Sequence, residues 1–160
     1  LVRHECFKLG LYWQGLTHDL SKYSSSEFWV GVKYYQGHRS PNNAEREAKG
    51  YSNAWLHHKG RNKHHYEYWL DPVHFDVPAE MPLRYVAEMF CDRVAASKTY
   101  LKDKYTPSSP MEYYRSRPQE KQLMNPVTYE LIGSLFEMLQ QKGEDETCAY
   151  IRKLMKESDS

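Results

Sequence analysis

Val2, Cys6, Leu9, Trp13 and Leu16 recur at spacings of three and four, and this stripe predicts an amphipathic helix over residues 1–16. Ser24-Ser-Ser-Glu27 has the spacing of a capping box and predicts a helix start, with Phe28, Trp29 and Val32 carrying the helix to Gly37. A Ser-Pro-Asn-Asn turn at 40–43 opens a helix from about Ala44 to His58, weakened at Gly50. Gly60 and Asn62 break the chain after it, and Asp71-Pro72 begins a loop that reaches Pro82. Tyr85, Val86, Met89, Phe90, Ala95 and Ala96 mark a helix over about 80–103. A linker, Thr106-Pro-Ser-Ser-Pro110, comes after it. Asn125-Pro126 is a cap with proline at the first helical position, and its helix stops near Gly143 before a last one over about 144–157. No long stretch alternates apolar and polar residues. The fold expected is an all-α, compact helical bundle of six to eight helices.

Length and charge narrow the picture. A chain of 160 residues is expected to be a single helical domain over 1–160, and it buries a core without disulfides. Its first residue is leucine, which leaves room for a short native segment ahead of it. A net charge of +1 gives no bulk attraction to long nucleic acid or membrane. The basic residues Lys59, Arg61 and Lys63 cluster locally and suit a small anionic substrate better than a polyanion. Three widely spaced cysteines match neither a disulfide framework nor a zinc ribbon, and they point to a reducing, cytoplasmic setting. No apolar run approaches the roughly 18–20 residues of a membrane span.

The candidate chemistry lies in the histidines. Four of eight fall in two adjacent pairs, His57-His58 and His64-His65, and His18 is followed directly by Asp19. Imidazole and carboxylate are the ligand types of hydrolytic metal centres. His18-Asp19 sits between Leu16 and Leu20 on a segment read as half-buried, where a shared ion would partner both groups. The bland alternative is a structural pair. On a straight helix the two histidine pairs would stand about 10 Å apart, too far for one ion. They converge only if the chain breaks at Gly60, or if two ions are bridged. Their bland reading is a solvated histidine-aromatic surface beside Tyr66, Tyr68 and Trp69, and the choice within each pair stays open. Asp92 lies among apolar positions of its helix, with Glu88 on the same side, and competes with a salt bridge to Arg93 or Arg84. His4 lies near the first apolar stripe, with ligand and ordinary roles evenly weighed, while His38 and His74 are assigned nothing.

The order His … His-Asp … His … His-His … Asp resembles the HD superfamily of metal-dependent phosphohydrolases. Leu-Thr-His18-Asp19-Leu-Ser-Lys22 is similar to that superfamily's Leu-Leu-His-Asp-Ile-Gly-Lys signature. The step from His64-His65 to Asp92 is similar to one in its branch with two or three metals, which includes cyclic-dinucleotide phosphodiesterases. Two features depart from it: His4 precedes His18 by only 14 residues, and Ser21 stands where the signature has glycine. More closely, Gly-Leu-x-His-Asp-Leu-Ser-Lys-Tyr-Ser with Trp-Leu-His-His-Lys-Gly-Arg-Asn-x-His-His resembles a family of small bacterial and phage proteins of unknown function, from residue 1 to about 155.

The resemblance implies an HD-domain-like bundle and a metal-dependent phosphohydrolase acting on a nucleotide or other small phosphoester. One or two divalent ions (Mn, Fe, Zn, Ni or Co) would be held by His18, Asp19, His57, His58, His64, His65 and Asp92, with His4 as a further candidate. Lys22, Arg61 and Lys63 would stabilise charge on phosphate, and Glu67 or an unligated histidine would move the proton. A di-iron oxygenase of HD type and a non-catalytic, metal-stabilised binding module are the rival classes.

Overall fold

The computed structural model describes residues 1–37, 39–71, 73 and 78–158. His38, Pro72 and His74 lie outside them. Among the described residues the chain is all-α, with nine α-helices and no strand, more helices than the six to eight expected. They are α1 (Val2–Lys8), α2 (Tyr12–Thr17), α3 (Ser25–Tyr34), α4 (Pro41–Lys49), α5 (Asn53–Lys59), α6 (Leu83–Leu101), α7 (Ser109–Arg115), α8 (Glu120–Leu123) and α9 (Pro126–Ser158). Short 3-10 turns at Leu20–Tyr23, Tyr66–Trp69 and Lys102–Lys104 link some of them.

Several boundaries arise from glycine and capping chemistry. Gly10, at φ 78°, ends the first apolar stripe, so residues 1–16 form two helices instead of one. Ser40 caps α4 through Asn42 N and Pro41 occupies its first turn, while Gly50 closes it in the left-handed region. The weak point in the expected 44–58 helix is therefore a true boundary. Gly143, with φ 82° and ψ 179°, interrupts α9 where the sequence places a helix end. The stretch 106–110, expected as a linker, contains the start of α7, and α8 lies between that helix and Asn125.

The centre is α6, whose Val86, Ala87, Met89, Phe90, Cys91, Val94 and Ala95 are buried. It packs against α1 and against α9, with the Phe90 and Phe136 rings stacked 5.6 Å apart. Full burial of a side chain such as Phe136 or Leu135 contributes about 1.5–3 kcal/mol. The helices α3, α4 and α5 pack on one another. No helix among the described residues is long and apolar enough to cross a membrane. The three cysteines are buried free thiols.

Candidate metal centre

The segment after α2 is where the backbone departs from ordinary geometry. His18 ends the helix at φ −51°, ψ 124°, and Asp19 comes next in the left-handed region at φ 57°, ψ 24°. Such a conformation costs about 1 kcal/mol or more in a residue with a Cβ, and clusters at functional sites. Its result here is that two consecutive side chains turn inward. The flanking Leu16 and Leu20, whose apolar character suggested burial, are instead 56% and 54% exposed. Burial of the dipeptide comes from the bend and from α6.

The two histidine pairs meet by folding back. Helix α5 ends at Lys59, and the His58 carbonyl accepts from the N–H groups of Arg61 and Asn62. The Asn62 amide pins the turn by donating to the His58 carbonyl at 2.8 Å and to Ser21 Oγ at 2.8 Å. His58 Nε2 and His65 Nε2 consequently lie 2.9 Å apart, although a straight helix would separate them by about 10 Å. Trp55 covers the pair, with its ring centre 5.8 Å from His58 and 4.9 Å from His65.

Two sets of side chains bring their donor atoms within 4.8 Å of one another and can hold a metal ion. One comprises Asp19, His58, His64 and His65, the other His18, His64 and Asp92. Asp19 Oδ1 lies 3.2 Å from His58 Nε2 and 3.5 Å from His64 Nε2. His18 Nε2 lies 3.2 Å from Asp19 Oδ2 and 3.4 Å from Asp92 Oδ1. Donors about 2.1 Å from one ion stand about 3.0 Å apart at right angles and about 3.4 Å apart in a tetrahedron. The separations, from 2.9 to 3.5 Å, lie within about 0.1 Å of that range. His18 Nε2, Asp19 Oδ1 and His64 Nε2 are buried without a hydrogen-bond partner, all at this point. An orphaned buried polar atom costs about 1–3 kcal/mol, so three in one place call for a common partner.

A second ring of carboxylates orients the imidazoles. Glu88, one turn before Asp92 on α6, takes His18 Nδ1 at 3.1 Å and His64 Nδ1 at 3.2 Å on one oxygen. Glu27 takes His57 Nδ1 at 2.6 Å and His58 Nδ1 at 2.8 Å. Acceptors on Nδ1 leave Nε2 of His18, His58 and His64 free toward the cluster, as histidine ligands to metals require. Glu27 shows how a pattern can mislead. Its spacing from Ser24 suggests a cap, yet Ser24 makes no side-chain cap bond and Glu27 is buried against the histidines.

The charges respond as a coupled set. Burial lowers the pKa of His18, but its contacts with Asp19, Asp92 and Glu88 outweigh this and raise it to about 11. Burial raises Asp92, and the His18 imidazole 3.4 Å away more than reverses that, holding it at about 2. Burial also works against ionised Asp19, which His18 and His58 nevertheless hold far below the usual carboxylate range. Burial and then the neighbouring His64 keep His65 well below an ordinary histidine.

Other sequence candidates fall elsewhere. His57 belongs to neither donor set and is fastened to Glu27. His4 is on the exposed side of α1, 3.8 Å from Glu5 and outside both sets. Lys22 pairs with Asp19 Oδ2 and faces a cavity of about 940 Å³ bounded also by His58, His65 and Asp92. Arg61 and Lys63 line a separate cavity that touches His64 and Glu88 but not Asp19, His58, His65 or Asp92. Arg93, suggested as a partner for Asp92, bonds Glu120 instead. Glu67 lies in a third cavity, beside His65 and Asp92, and burial raises its pKa.

Over residues 1–138 the chain matches a family described as of unknown function (DUF5662), and it belongs to that family. No curated protein and no solved structure matches it.

Proposed function

We propose that the chain is a metal-dependent phosphohydrolase acting on a small phosphoester, with its centre at His18, Asp19, His58, His64, His65 and Asp92. The observation that carries this reading is the convergence of three orphaned buried atoms, His18 Nε2, Asp19 Oδ1 and His64 Nε2. Their chemistry, imidazole nitrogen and carboxylate oxygen without thiolate, suits Mn, Fe, Zn, Ni or Co. His64 belongs to both donor sets, but Glu88 occupies its Nδ1, leaving one nitrogen to give. The two sets would thus hold one ion, or two. A bound divalent ion lowers the pKa of coordinated water toward neutrality and polarises a phosphoryl oxygen.

The residues of the chain do the rest. Glu88 and Glu27 fix the ring orientation of three ligand histidines. Lys22, on the cavity wall, stabilises charge gathering on the phosphoryl oxygens. We place Arg61 and Lys63 outside this role, since of the donor residues their cavity reaches His64 but not Asp19, His58, His65 or Asp92. Three buried free thiols accord with a reducing, cytoplasmic location.

The test is a panel of phosphomonoesters and phosphodiesters with protein loaded separately with each metal. Metal-dependent hydrolysis of at least one ester, abolished by Asp19→Ala and lowered about 10²-fold by Lys22→Ala at unchanged metal content, is expected. A fully loaded protein inert toward every phosphoester contradicts the reading. Turnover only with Fe(II) and oxygen would move the assignment to an oxygenase.

A further inference from the structure

The cavity of about 940 Å³ that Lys22 faces runs on past the metal donors. Two helices wall it. On α3 the lining passes from Glu27 through Phe28, Gly31 and Val32, and on α6 from Asp92 through Ala95, Ala96 and Thr99 to Tyr100. Each set is one face of its helix, at spacings of three and four. At about 1.5 Å per residue, Tyr100 stands about 12 Å further along α6 than Asp92. The far part of the cavity has no role in the metal chemistry above.

Charge is confined to the donor end. Apart from the ligand histidines, the charged side chains among the described residues of the wall are Asp19, Lys22, Glu27 and Asp92. Two of these are donors, Lys22 is paired with Asp19, and Glu27 holds His58. Beyond them the wall includes Phe28, Val32, Tyr35 and Tyr100, all exposed, so their apolar surface is within reach of a bound group. The Thr99 hydroxyl donates to the Ala95 carbonyl at 2.8 Å, and Ser40 Oγ accepts from the Asn42 N–H. Two of the few polar groups there are thus already engaged.

Gly31 has no packing reason to be glycine. It lies inside α3 without a positive φ, where glycine is the least favourable residue after proline. A Cβ at Gly15 or Gly133 would stand 3.0 or 2.8 Å from a neighbouring side chain, but one at Gly31 would meet nothing within 4 Å. The position opens onto the cavity instead. We infer that this cavity takes the organic group of the substrate, a single uncharged aryl group, and that Gly31 keeps the width a flat ring needs. The inference rests on the phosphohydrolase reading, which puts the phosphoryl group at the metal donors. An aryl ring can lie against the rings of Phe28, Trp55 and Tyr100, and it suits a wall with few polar anchors. A polyphosphate would find no cationic side chain past Lys22 among the described residues of the wall. A sugar would set its hydroxyls against surface that offers them few partners.

The experiment is titration calorimetry on the metal-loaded protein with phenylphosphonate and methylphosphonate, which have no ester bond to hydrolyse. Phenylphosphonate is expected to bind about tenfold or more tightly, a difference of about 1.4 kcal/mol. Gly31→Leu, which fills the cavity from a helical position, should bring phenylphosphonate down to the level of methylphosphonate. Its metal content and circular dichroism should match the wild type. Gly31→Ala, which also favours the helix but adds a single methyl group, should keep most of the advantage. If Gly31→Leu fails to fold, the two phosphonates compared on wild-type protein still decide the matter. Phenylphosphonate that binds no better than methylphosphonate, or that binds Gly31→Leu as tightly as the wild type, overturns the proposal. A phenyl preference in a protein that hydrolyses no ester would keep the role of the cavity and remove the phosphohydrolase reading. Hydrolysis without a phenyl preference would remove the role of the cavity alone, so the two failures are distinguishable.

Discussion

Glu88 uses a single carboxylate to hold two imidazoles, 3.1 Å from His18 Nδ1 and 3.2 Å from His64 Nδ1, and both are donors of the proposed centre. Glu88→Ala is expected to lower metal affinity about 10–100-fold, the usual cost of removing such a support, without changing the donor atoms. Competition with a chelating dye measures it; His4→Ala, on the exposed face of α1, should leave affinity unchanged. His18 supplies a second prediction. Its folded pKa, about 11, lies above an ordinary histidine, so in metal-free protein it carries a proton at neutral pH. An ion at Nε2 must displace that proton, and apparent affinity should rise by up to about tenfold per pH unit while His18 remains protonated. Affinities at pH 6.5, 7.5 and 8.5, with calorimetric proton release, test it; no pH dependence and no release would place the ion away from His18. The same shift sets the sign for the metal-free fold. Stability from His18 is complete below about pH 6.5 and declines as pH climbs toward about 11.

Helices place these residues through their ends and close approaches more than through their apolar stripes. Gly15 on α2 is one such approach, since a Cβ there would lie 3.0 Å from Cys6 Cβ and from the Phe7 ring on α1. Gly15→Ala should push α2 outward, costing about 1–3 kcal/mol as overpacking does. Because His18 closes α2, metal affinity should fall with stability; urea unfolding and the dye titration together check both. Helix boundaries are legible in the sequence where their chemistry is local. The Gly143 break and the Asn125-Pro126 start rest on caps or φ preferences within a few residues, whereas the helix expected from about Ala44 begins at Pro41 and the weak point at Gly50 is a full boundary. The 1–16 stripe misleads because Val2, Cys6, Leu9, Trp13 and Leu16 run across Gly10, which ends α1, and Trp13 is left 74% exposed. Glu27 escapes sequence reasoning for a related reason. Its spacing matches a cap, and only the packing of α3 on α5 reveals what it bonds.

Across the whole molecule, the centre ties together segments far apart in sequence: the α2 end, the first turn of α3, the α5 turn and the middle of α6. His18, Asp19, the histidine pairs and Asp92 can be picked out by residue type. That Arg61 and Lys63 face another cavity cannot, because side-chain direction after a turn depends on how Asn62 and Ser21 pin it. An ion shared by such distant segments stabilises the fold as a whole. At 100 times its Kd it contributes about 2.7 kcal/mol, which raises the melting temperature by roughly 5–10 °C in a chain of this size. Chelation should reverse this in the wild type and do nothing in His64→Ala.

Everything proposed for this chain depends on His18, Asp19, His58, His64, His65 and Asp92 together holding a divalent ion. The decisive measurement is elemental analysis of protein equilibrated with Mn, Fe(II), Co, Ni or Zn and then desalted, with Asp19→Ala and His64→Ala in parallel. At least one ion per wild-type chain is expected, and its loss from both variants, with circular dichroism showing the helices retained. Wild-type protein that keeps none of the five metals while folded, or variants that keep as much as the wild type, would contradict the metal centre.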